Sequence, residues 1–267
     1  RDLEKGLDES PFKAEKWIKK AQEEMISLFK YLSLASSFSI VGILTALAFL
    51  LPEVEGYFQE SGVKLKRILP PIAAIWALSS MGVFLSELAV IVDKPLLEIF
   101  SGNLIRSFAL QVILGKLLLI NILSALILLI FVSTIKRTGG ALALLLITLL
   151  GLLAPYLENH SSSSGHHMLA IGLVLVHVLA LSLWIGGLIA LALITKEERK
   201  FAAVRFHIVA LWSLLSVALS GVVNGWVRLG TIANITSNYG AILVAKTLLL
   251  GLIFMVAFTF RARQRTN

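Results

Sequence analysis

The side chains best suited to chemistry in this sequence are its histidines, and His160, His166 and His167 flank a serine tract at residues 161–164. Imidazole nitrogens gathered in a flexible polar segment are ligands for Cu(II), Cu(I) or zinc, although His160 also reads as an ordinary solvated loop residue. His177 follows inside a long apolar run, where a titratable group is costly and calls for a polar interior to face. At 1.5 Å per residue His166 and His177 stand roughly 16 Å apart along a helix, so they cannot share one ion with bonds near 2 Å. His207, beside Arg205, reads as a solvated residue at a helix end. The chain has no cysteine, which excludes disulfides, thiolate metal sites and cysteine nucleophiles. Met81 and Met168 could offer thioethers to Cu(I), but a flexible packing role suits them better.

Three further charges interrupt apolar runs. Glu87 reads as a carboxylate ligand or a counter-charge, and Lys116 and Lys246 as groups that need a polar cavity. Ser213, Ser216, Ser220, Asn224 and Arg228 recur at intervals of three or four, which places them on one helical face that must meet protein or water. The serines also read as small residues that permit close packing, and Gly186-Gly187 predicts a site where a neighbouring backbone approaches closely. Asp93-Lys94-Pro95 is not the phosphorylation sequence of a metal-pumping ATPase, and Gly115-Lys116 lacks the rest of a phosphate-binding loop. Neither an ATP motor nor an enzyme active site is read from the sequence.

The elements that must position these residues are membrane helices. Apolar residues make up 57% of the 267 positions and charged residues only 15%, against about 25% charged in soluble domains. The mean hydropathy is +0.88. Runs of about 20 apolar residues are long enough to cross a hydrocarbon core. The expected fold is an all-α polytopic bundle of about seven spans: Tyr31–Leu51, Ile68–Val92, Ser107–Ile135, Gly140–Leu157, Met168–Ile194, Phe206–Val227 and Ala241–Phe260. Residues 1–30 read as an amphipathic helix lying in the membrane interface, begun by Ser10-Pro11 and leading into a bundle at 31–262. Residues 94–106 are too short to cross and apolar enough to lie on the surface.

The net charge of +8 does not point to nucleic acid. The basic residues are spread between spans, at Lys64-Lys66-Arg67, Lys136-Arg137, Lys196 to Arg205 and Arg261 to Arg265, and with seven spans these clusters share one face. That face is expected to be cytoplasmic, with the 158–167 loop outside the cell and the C-terminus inside. The basic arm at residues 1–30 would then lie outside, which leads to the expectation of an additional upstream span.

With these residues in view, the chain resembles the copper resistance D (CopD) family of bacterial cytoplasmic-membrane proteins. The likeness rests on His177 followed by Leu183-Trp184-Ile185-Gly186-Gly187-Leu188. It runs on through Ser213, Ser216, Ser220-Gly221, Asn224, Arg228-Leu229-Gly230, Tyr239-Gly240 and Lys246 to Arg261, so that 168–262 is the expected family core. Upstream it is weaker: Gly42, Leu50-Leu51-Pro52, Pro95-Leu96, Gly115-Lys116 where relatives often have Gly-Arg, and His160. The layout is most similar to larger members with an extra preceding span and, in some, a following oxidase-assembly (CtaG-like) domain. The resemblance implies copper import or delivery beside a periplasmic or extracellular copper carrier. The positions that match are His160, His167, His177, Asn224, Arg228, Tyr239 and Lys246. The methionine-rich copper motifs are lacking.

The expected mechanism is capture of copper by His160, His166 and His167, and passage to a vestibule between spans two, five, six and seven. There His177 is the inner ligand, with Glu87 nearby and Arg228 and Lys246 at the outer helix ends. Two alternatives stay open: a membrane electron carrier with haem b between histidines of neighbouring helices, and a copper-delivery or oxidase-assembly partner that moves no ions.

Overall fold

The computed structural model describes residues 2–51, 53–54, 57–100, 102–158, 167–229, 236–237, 240–249, 251–252 and 255. Side chains are described from residue 20 onward, those of 53, 54, 57, 97, 167 and 226–229 excepted. The helices are α1 (Asp2–Thr45), α2 (Glu60–Val92), α3 (Gly102–Gln111), α4 (Ile113–Phe131), α5 (Thr138–Leu153), α6 (His167–Leu193) and α7 (Lys196–Leu229). A short apolar helix, α8, covers Gly240–Leu249. Among the described residues, six segments are long and apolar enough to cross a membrane, within α1, α2, α4, α5, α6 and α7. The all-α polytopic expectation is met. The seventh predicted span begins as α8, and most of it beyond Leu252 lies outside the described residues.

The arm and the first span form one unbroken helix, which starts at Asp2 rather than at Ser10-Pro11. A π-turn, Ala46–Leu50, ends it, and Glu53 and Val54 then pair antiparallel with Phe58 and Tyr57. α2 continues through Pro70 and Pro71 and stops at Asp93, which adopts the left-handed conformation (φ 51°, ψ 48°) that short polar side chains tolerate; Pro95 follows.

The predicted third span, Ser107–Ile135, is corrected. The helix breaks at Val112 (φ −89°, ψ 133°), and the crossing segment starts at Ile113. Gly115 supplies the reason: a Cβ there would overlap the Phe108 carbonyl, so α3 can fold back onto the first turn of α4 only because Gly115 has none. Phe108 then packs against Phe84, with ring centroids 4.9 Å apart, and Ile99 is buried within the segment expected to lie on the surface.

Two basic clusters prove to lie within the first two or three turns of helices. Lys64, Lys66 and Arg67 belong to α2 and Lys196 to Arg205 to α7, where Glu60 and Glu197-Glu198 supply the negative charge that a helix N-terminus favours. Only Ile194 and Thr195 separate α6 from α7. Arg199 donates to the carbonyls of Ala192 and Ile194 (3.1 and 2.7 Å), which satisfies the end of α6. The Ser61 hydroxyl of α2 lies 3.1 Å from that of Thr195 and accepts the Thr195 N–H (3.0 Å).

The core surrounds the fully enclosed Trp76 and joins α1, α2, α4, α5 and α6. α1 and α6 approach backbone to backbone: a Cβ at Gly42 would overlap the Gly186 backbone, and one at Gly186 the Phe38 carbonyl. Gly187 gives its face to the Phe206 ring of α7. The close backbone approach expected at Gly186-Gly187 is therefore present, with α1 as the partner.

Candidate metal-handling site

His177 lies nearly three turns into α6, half-buried against α7. The polar stripe of α7 faces it. Ser213 and Ser220 are buried, while Trp212 and Leu219 on the opposite side are 67% exposed, as lipid-facing side chains should be. Nδ1 of His177 is 2.9 Å from the Ser220 hydroxyl. That hydroxyl has one proton and donates it to the Ser216 carbonyl at 2.5 Å. A carbonyl can only accept, so Ser220 Oγ accepts from His177 and Nδ1 carries the imidazole proton. The Nε2 lone pair is thereby left for a ligand, the arrangement that an outer-shell partner imposes on metal-binding histidines. Gly221 leaves room for the ring: a Cβ there would stand 3.8 Å from Cε1, an ordinary contact. Lys246 of α8 is near enough for its charge to act on the ring.

Asn224 is half-buried one turn beyond Ser220 on the same stripe. Arg228 is in the last turn of α7 and His167 is the first residue of α6, and the side chains of both lie outside the described set. His160, His166 and Tyr239 lie outside the described residues altogether. Among the described residues no three His, Asp or Glu side chains converge as one metal site. His207 is exposed near the start of α7, thirteen residues before Ser220, or roughly 20 Å along the helix, so it cannot serve one haem iron together with His177. Met81 and Met168 are surface residues, 43% and 80% exposed.

Glu87 is not brought to His177. It pairs with Lys30 of α1 (2.7 Å) at the edge of a cavity bounded by α1, α2, α4 and the end of α5. Lys116 is exposed in the first turn of α4, in the same half of the molecule. Glu87, expected to share a vestibule with His177 between spans two, five, six and seven, lines this other cavity instead. Sequence reasoning missed Lys30, Asn121 and Tyr156, all of which line this cavity. Asn121 carried the usable signal, a lone amide in the middle of an apolar run. It is buried and donates to the Gly151 carbonyl (2.8 Å).

The fold and these polar groups define a multi-span helical membrane protein. Residues 200–267 match the family model described as Copper resistance protein D. The matched stretch holds Ser213, Ser216, Ser220, Asn224, Arg228, Tyr239 and Lys246, the α7 and α8 side of the site; His177 and the Leu183–Leu188 string lie upstream of it. No curated protein and no solved structure shows significant similarity to the chain.

Proposed function

We propose that this protein carries copper across the cytoplasmic membrane, with His177 Nε2 as the inner ligand. The observation behind the reading is the 2.9 Å contact between His177 Nδ1 and the Ser220 hydroxyl, an orientation that suits a ring offering Nε2 to a metal ion. The similarity of residues 200–267 to the copper resistance family supports copper as the metal. His160, His166 and His167 collect copper on the outer face, and the C-terminus lies in the cytoplasm. Lys246 and Arg228 keep positive charge beside the route. A cation is then held weakly at His177, as an ion that must leave again requires. Glu87 acts as the counter-charge of Lys30 rather than as a ligand.

The test is copper binding by titration calorimetry, and copper flux into vesicles, for the wild type and His177→Ala. Loss of both in the variant supports the assignment, and unchanged binding removes His177 from the site. Binding without flux would make the protein a delivery partner instead of a transporter.

A further inference from the structure

The cavity under Lys30 and Glu87 is used by no step of the copper reading and does not depend on it. It encloses about 300 Å³, at the lower end of the range for small-molecule sites. Along α1 it runs from Lys30 to Ser37, and along the antiparallel α2 from Glu87 to Ser80, in each case about 10 Å of helix. Both helices therefore place a charge at one end and a buried hydroxyl at the other. Ser37, Ser80 and Asn121 form the closed end, at 0%, 2% and 6% exposure. Asn121 gives its amide N–H to Gly151, and Oδ1 remains as an acceptor. The Tyr156 hydroxyl adds a donor at the side, and leucines of α4 and α5 make the walls apolar.

The open end sets the chemistry. Lys30 and Glu87 meet at 2.7 Å with side chains 52% and 21% exposed. An ammonium has three N–H donors and a carboxylate two oxygens, so one contact leaves both groups with capacity to spare. A simple anion would meet the charge of Glu87. A simple cation, a metal ion included, would have to displace the Lys30 ammonium. A molecule that carries both signs in one headgroup satisfies both residues without breaking their pair.

We propose that this cavity binds a zwitterion, a primary ammonium joined to a phosphate or carboxylate, with the anionic group on Lys30 and the ammonium on Glu87. The same chemistry is offered by an ethanolamine phospholipid of the bilayer and by a free solute. The full chain is placed in nanodiscs of ethanolamine, choline or glycerol phospholipid, and retained lipid is read by native mass spectrometry. In parallel, phosphoethanolamine is titrated into detergent-solubilised protein. We expect at least tenfold preference for ethanolamine lipid over glycerol lipid if the ligand is a lipid, or saturable binding of phosphoethanolamine if it is a solute. Either is expected to be lost in Glu87→Gln and in the charge-swapped pair Lys30→Glu with Glu87→Lys, which keeps an ion pair of reversed polarity. Absence of binding in both arms, or equal binding by Glu87→Gln, overturns the proposal. Should the swapped pair fail to fold, Glu87→Gln alone decides, because it changes no volume.

Discussion

The two polar regions of the molecule are built in opposite ways. Around Lys30 and Glu87, α1 and α2 are packed tightly, with 56% and 50% of their most apolar windows buried, and the charges there answer each other. Around His177, α6 and α7 have only 22% and 28% of theirs buried, and the ring keeps one nitrogen unspent. A bilayer tolerates polar groups in both settings, in the first because they are neutralised in place and in the second because the half-buried ring has somewhere to turn. The better enclosed half holds most of the buried apolar surface, and the more exposed half is the one in which the proposed copper site lies.

The contrast is broken most severely at the seam between the halves. Gly186→Val should destabilise the protein by about 3 kcal/mol or more, the upper range for overpacking, because the new atoms meet backbone and not a mobile side chain. Gly172→Ala on the same helix meets nothing within 4 Å and should leave the unfolding midpoint within a degree or two. Thermal unfolding in detergent checks both, and an unchanged midpoint for the valine variant would mean that α1 and α6 do not cross there.

Within the more exposed half, His177→Ala should weaken copper binding by roughly a hundredfold, and Ser220→Ala by about tenfold through loss of the fixed tautomer, with Ser220→Thr restoring most of it. Calorimetry separates the three, and equal affinity for the serine and alanine forms would show that the hydroxyl does not orient the ring. Copper and protons compete for Nε2, so affinity should fall as the pH is lowered through the range in which imidazoles protonate, and that fall should be shallower in His177→Ala, where the loop histidines still titrate. An alanine variant with the same pH profile would place the titrating ligand elsewhere. The smallest effect is expected in the other half: Glu87→Gln should cost less than about 1 kcal/mol, because Lys30 remains half in solvent. A larger loss would show that the pair is structural.

Much of this was open to reading from the residues. Apolar runs gave the helical class, Gly186-Gly187 gave the close crossing, and spacings of three and four gave the buried stripe of α7. Each is a local pattern whose physical meaning does not depend on what lies opposite. Partners were harder. Glu87 looked available for a metal because nothing in the sequence announces that Lys30, at the end of a charged arm, returns to the same depth in the bundle. The break at Val112 was hidden for a related reason. Residues 107–135 are apolar enough to read as one span despite Gln111 and Lys116, and the contact between Gly115 and the Phe108 carbonyl shows that the first part folds back.

The corner at Thr195 bears on how the protein is made. Its hydroxyl and its N–H both engage Ser61, a residue synthesised 134 positions earlier. As the chain is made, Arg199 can satisfy the end of α6 within the hairpin itself, but the Thr195 N–H meets Ser61 only when the hairpin docks against a helix synthesised much earlier. A hairpin out of place would leave that N–H to water.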